Sequence, residues 1–293
     1  MRAFRRSHPA ASLLYFVFAI LSAMLAKTPI AVTIIFVFSV LSAFLIVGKK
    51  VLKTLPIAFL AIFLMSFINP IFSPGGDTLL FSVGRYAFSL EAVIYGLFSS
   101  LSLVSVYYWF WSLGVVITDE KILYLFGRRM PHLSMLLSMA LGFIPKLKRK
   151  YEEIEEAAIC LSPDIEETTV NKIKRKMKAL YTLLSSSLEF SLESADSMRA
   201  RGYGVGKRTS FSVYFWTGED TFISVYATLS FFVCTLVSTL CDLSFSYYPT
   251  IDIALVCSPS ALSYAVCCLL LCALPLIITV KENILWQFSK SKI

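Results

Sequence analysis

The sequence predicts an all-α polytopic membrane protein with about six transmembrane helices and two or three cytoplasmic helices. Three observations carry that expectation. Hydrophobic residues make up 57% of the chain and charged residues 16%, and the mean hydropathy of +0.73 lies outside the range of an ordinary soluble domain. The apolar residues gather into blocks of the roughly 17 to 25 residues that cross a bilayer. The basic residues are sorted to one side of those blocks, as the positive-inside rule requires.

The elements follow in order. A first span at 9–26 lies behind the basic start "MRAFRRSHPA" and flows almost directly into a second at 29–48. No small-residue cleavage site separates them, so no cleavable signal peptide is expected. Further spans are expected at 54–72, 91–117, 222–243 and 253–280. The span at 91–117 is long enough to tilt or to begin in the interface. A seventh apolar piece, 130–143, is too short to cross and is bounded by Pro131 and Pro145. It is expected as a buried or interfacial helix. With a cytoplasmic N-terminus, six spans return the C-terminus to the cytoplasm, and only Lys27 and Arg85 of the 27 Lys and Arg fall outside. That placement implies a multi-pass plasma-membrane protein with both termini inside.

Three segments result: an N-terminal membrane block at 1–145, a cytoplasmic segment at 146–212, and a C-terminal membrane pair with its tail at 213–293. The cytoplasmic segment holds 13 Lys and Arg against 10 Asp and Glu, a sharp change from its flanks. Its first half, "IPKLKRKYEEIEEAAICLSPD", offers opposite charges at i,i+4, with Pro145 at the expected helix start and Pro163 just past its end. In its second half Leu180, Leu184, Leu188, Leu192 and Ala195 recur at helical spacing and form one apolar stripe able to pack.

The stretch "SMRARGYGVGKRTSF", 197–211, closes that second helix. Gly202, Gly204 and Gly206 are residues that end helices. At about 100° per residue, Arg201 projects roughly 120° from the centre of the stripe and faces the cytoplasm. A phosphate-cradling P-loop needs G-x-x-x-x-G-K-[ST] after a strand and before a helix. Here Gly202 and Gly206 are one residue too close, Arg208 follows Lys207, and the glycines close a helix. Arg199, Lys207 and Arg208 are candidates either for contact with anionic headgroups or for a weaker share in docking a partner.

Several function classes fall away. The formal charge of +8 expresses a basic inner face and does not indicate nucleic acid. The seven cysteines show no CxxC spacing, and six lie in or beside spans, where Cys acts as a small apolar residue. His8 and His132 stand far apart, each beside a proline, so no metal or cofactor site is expected. An ion-coupled permease or membrane enzyme needs ionisable groups at membrane depth, whereas Glu91, Asp242 and Asp252 all fall at span ends. A stand-alone permease or channel remains the rival reading.

The motifs resemble those of the transmembrane T component of energy-coupling factor (ECF) transporters, the CbiQ/EcfT-like family. The similarity runs through "HPAASLLYF", "INPIFSPGGDTLLF", "EAVIYGLFSS", "VITDEKILYLFGRRMPHLSMLLSMALGFIPKL", "SMRARGYGVGKRTSF" and "KENILWQFSKSKI", in order along nearly the whole chain. The resemblance implies a non-catalytic subunit of an importer for a vitamin or metal ion. It would couple two ABC ATPases, which hydrolyse the ATP, to a membrane-embedded substrate-binding S component. It also implies that two cytoplasmic coupling helices, 146–161 and 170–201, dock on the ATPases, with Ala200, Arg201 and Gly202 as one short motif. The family's corresponding motif on the first helix falls on Cys160, Leu161 and Ser162, so Leu161 stands where arginine is expected. Gly142 likewise replaces the arginine before "FIP", and Arg199 stands where Glu is common.

Overall fold

The computed structural model describes residues 7–26, 28–72, 78–83, 86–161, 169–206, 214–240 and 258–290. Nine helices and one β-hairpin occur among them: α1 (Pro9–Leu25), α2 (Pro29–Val47), α3 (Lys50–Phe72), β1 (Leu79–Val83), β2 (Tyr86–Ser89), α4 (Leu90–Val116), α5 (Asp119–Arg129), α6 (Pro131–Cys160), α7 (Thr169–Ala200), α8 (Gly218–Leu240) and α9 (Pro259–Lys290). The chain divides into two compact units, Met1–Ile122 with Tyr214–Ile293, and Leu123–Val213.

In the first unit α2, α3, α4, α8 and the Pro259–Lys281 part of α9 are long and apolar enough to cross a membrane. α1 is equally apolar but has 17 residues, at the short end of the spanning range. The six expected spans are therefore all present as helices, and their ends follow from local chemistry. Pro9 and Pro29 open α1 and α2 at the first helical position, where the missing N–H costs nothing. Gly48, at φ +83°, ends α2. The Ser89 hydroxyl accepts the Ala92 N–H and caps α4.

The unit's core is built by helices that approach closely. Tyr15, Phe16 and Trp109 are fully buried in a cluster shared by α1, α2, α4, α8 and α9. Because lipid is as apolar as leucine, such contacts depend on dispersion, small residues and interhelical hydrogen bonds. Tyr15 Oη donates to the Leu271 carbonyl at 3.1 Å, Ser102 Oγ to Ala23 O at 2.8 Å, and Ser66 Oγ to Val93 O at 2.9 Å. Beside the last bond a Cβ on Gly96 would come within 2.9 Å of Asn69 Cβ and 3.1 Å of Ser66 Cα. Only glycine lets α3 and α4 pack this tightly.

Two features were not expected. β1 and β2 form an antiparallel hairpin between α3 and α4, with Val83 opposite Tyr86. The buried Asp220 carboxylate pairs with the backbone of the half-buried His8. α8 begins at Gly218 rather than 222, which brings Asp220 into its first turn at 1% exposure. Its carboxylate accepts the Thr217 N–H and hydroxyl at 3.0 and 2.6 Å and the His8 N–H at 2.8 Å. The His8 ring lies 4.7 Å from the Trp216 ring. One carboxylate thus satisfies the free N–H groups of two helix starts.

In the second unit the expected division of 130–143 from 146–161 is corrected. α6 runs unbroken from Pro131 to Cys160 with Pro145 in its interior and no buried residue. The expected segment boundary at 145/146 lies inside this helix. Hydropathy changes at Pro145, but helical periodicity continues on both sides and carries the backbone through the one bond that proline removes, at a cost of about 3 kcal/mol. α6 and α7 pair antiparallel: Tyr203 Oη contacts Met135 Sδ, Phe143 meets Phe190 edge-on at 5.4 Å, and Tyr151 lies near Arg175. Lys146 Nζ sits 5.5 Å from the Phe190 ring centre, a cation–π contact.

The expected packing of the leucine stripe is also corrected. α7 turns Ala179 into the pair's seam. Leu180, Leu184, Leu188 and Leu192 are 44%, 63%, 68% and 70% exposed, and Ala195 alone of the stripe is half-buried. Both faces carry helical spacing, and the seam took the one lined by small residues such as Ala179, Ser186 and Ser187.

Candidate functional site

The site expected around Arg201 is a helix corner built by the backbone. The Gly202 N–H donates to Arg199 O at 2.9 Å and the Tyr203 N–H to Met198 O at 3.0 Å. These are the two bonds of a Schellman motif, with Gly202 as the left-handed residue at φ +80°. The motif takes up the Met198 and Arg199 carbonyls and turns the backbone at Gly202. Tyr203 Oη, held at Met135 Sδ, ties the corner back to the start of α6.

On this corner Arg199, Ala200, Arg201 and Gly202 are all exposed, and Val205 is 88% exposed. The Arg201 guanidinium makes no hydrogen bond or ion pair among the described residues. A planar guanidinium on a rigid corner can form two parallel bonds to one carboxylate, which lysine cannot reproduce. Gly204, at φ +94°, turns the chain again. Lys207 and Arg208 lie outside the described residues.

The opposite end of the pair is different. Leu161 follows α6 in a helical conformation, its N–H donating to Ala157 O at 3.1 Å, and its side chain is 83% exposed. Ile159 and Cys160 are exposed beside it, and Ser162 lies outside the described residues. The last turn of α6 carries no arginine, and the nearest guanidinium on α7, Arg175, lies in the seam beside Tyr151. Because the helices are antiparallel, the corners at Leu161 and Arg201 are separated by the length of α7, roughly 45 Å at about 1.5 Å per residue.

Between the ends, Tyr151 shares the seam with Glu155 and Arg175. Burial and the Glu155 carboxylate push its phenol above the ordinary value, with Arg175 opposing. Among the described residues no group of three His, Cys, Asp or Glu side chains is placed to hold a metal ion.

The exposed stripe is the feature that the sequence reading missed in orientation. Ile173 and Met177, 58% and 62% exposed, extend it toward the start of α7. The sequence did show the spacing, but not which face the seam would use.

Residues 2–211 match the profile of the CbiQ family, described as cobalt transport protein. The chain belongs to that family. The matched part runs from the first helix through the Arg201 corner and stops before α8. A curated relative, the energy-coupling factor transporter transmembrane protein EcfT of Bacillus subtilis (strain 168), is 28% identical over 197 residues, covering 62% of this chain and 71% of the relative. The CbiQ-family chain is thus a multi-pass membrane protein of a transport family, as its motifs and apolar helices led one to expect.

Proposed function

We propose that this chain is the energy-coupling T subunit of an ECF-type importer. The observation that carries the reading is the exposed Arg201, held on a Schellman corner at the end of a long helix pair. Ala200, Arg201 and Gly202 dock one cytoplasmic ABC ATPase subunit, with Arg201 bonded to a carboxylate in the ATPase groove. A second ATPase subunit receives the far corner, where Cys160, Leu161 and Ser162 offer apolar contact in place of an arginine. Arg199, Lys207 and Arg208 add charge beside the first dock or at the lipid headgroups. ATP is hydrolysed by the ATPases, and this subunit carries their motion and no catalysis.

The exposed leucines of α7 suit the other partner. An apolar stripe from Ile173 to Leu192 is roughly 30 Å long, and soluble surfaces rarely leave such a patch uncovered. We assign it to the membrane-embedded S component that captures a vitamin or metal ion. Arg201 and the stripe point to different sides of α7, so both partners can be held together. The helix pair then lies on the cytoplasmic face of the plasma membrane, with both chain termini inside, which agrees with the placement of the basic residues.

The test is Arg201→Glu. It is expected to abolish co-purification of the ATPases and ATP-driven uptake, with unchanged membrane insertion. Normal ATP-driven uptake in that variant would sink the role given to Arg201. Uptake by the purified chain alone in proteoliposomes would favour the stand-alone permease.

A further inference from the structure

α8 and α9 are held together by contacts that run in reverse order along the two helices. Glu219 meets Lys281 at 3.2 Å, Tyr226 Oη donates to Leu270 O at 2.9 Å, and Cys234 meets Cys268 with their sulfurs 3.3 Å apart. Both cysteines are free thiols and both are buried. Ala227 on α8 and Ala261 on α9 are buried in the same cluster, and such small side chains let two helices approach closely. The antiparallel register therefore aims one sulfur at the other.

We propose that Cys234 and Cys268 form a redox-closable pair, joined by a two-electron oxidant into a disulfide that staples the last two spans. The two Sγ–H bonds break, one Sγ–Sγ bond forms, and two electrons and two protons pass to the oxidant. With diamide, the first sulfur adds to one azo nitrogen. The second sulfur displaces the reduced hydrazine, which carries away both protons. A disulfide bond is about 2.05 Å long, so the sulfurs close by about 1.2 Å, a change within reach of side-chain rotation. The link would bridge two helices of the core shared with α1 and α2. It rests on the geometry of α8 and α9 and does not depend on the coupling role.

The experiment uses the full chain in isolated membranes. Samples are treated with diamide or with iodine, an apolar oxidant that enters the bilayer. Remaining thiols are then blocked with N-ethylmaleimide under denaturation, and the chain is digested for non-reducing peptide mass spectrometry. The expected result is a Cys234–Cys268 linked peptide with two fewer blocked thiols per chain, reversed by dithiothreitol. The linked peptide disappears in Cys234→Ser and Cys268→Ser. A link from either sulfur to Cys272, Cys241 or Cys257 overturns the proposal. So does survival of both thiols in a sample where the exposed Cys160 has been oxidised.

Discussion

Phe63 on α3 and Leu184 on α7 are both 63% exposed, yet the two exposures have different causes. α3 carries charge only near its start, at Lys50 and Lys53, and beyond that its exposed face is apolar throughout, while Ala58, Ile62 and Ser66 turn inward. A helix that is hydrophobic all round is solvated by lipid. α7 carries Lys172, Lys174, Arg175, Lys176 and Lys178 in its first turns and Glu189, Glu193 and Asp196 later. That much charge belongs in water, where the proposed S component would cover the leucine stripe. Exposure of an apolar residue thus identifies a binding surface only once the helix's solvent is known.

The same charge placed on both surfaces should have different effects. Phe63→Asp puts a carboxylate near the middle of a span, which opposes insertion by about 2.5–3.5 kcal/mol. Its folded, membrane-integrated yield should collapse in a protease-protection assay. Leu184→Asp, at equal exposure, should leave that yield unchanged and remove the S component from the affinity-purified complex. Equal loss of integration in the two variants would erase the distinction.

Smaller effects are expected at the helix ends. Asp220→Ala removes the acceptor of the half-buried His8 N–H and of the Thr217 N–H and hydroxyl and should cost about 1–3 kcal/mol in the membrane unit, read as a lower melting temperature in detergent. Gly202→Ala meets no neighbouring atom, so its cost is the left-handed backbone alone. That is about 1 kcal/mol, roughly fivefold in affinity if spent on docking. Faster hydrogen exchange at Arg201–Tyr203 with weaker ATPase binding should report it.

The smallest effect is a pH dependence at His8. Burial lowers its pKa below 6.5, with the Asp220 charge opposing. The neutral ring is the form that accepts the Ala10 N–H. Its contribution is complete above the ordinary histidine value and is lost as pH falls from there through the lowered folded value. Melting temperature should therefore fall on acidification through and below pH 6.5, and less so in His8→Ala.

Much of the architecture was legible because it is written locally. Apolar runs set the spans at 9–26 and 91–117 to within one residue of α1 and α4. Gly202 marks the end of α7 because no other residue takes φ +80° so cheaply. Pro145 misled for the opposite reason. Proline breaks a helix locally, but strong helical pattern on both sides overrides a single lost bond. The stripe misled because spacing identifies an apolar face without saying what covers it.

The membrane class, the ends of α1, α4 and α7, and the basic corner at Arg201 are written in the sequence alone. These depend on residues within a few positions of one another. Tertiary structure alone decided that α7 pairs through Ala179 and leaves its leucines outward. It also joined His8 to Asp220 across 212 residues and set Cys234 against Cys268. Such contacts depend on how two helices are set side by side, which no periodicity along one helix encodes.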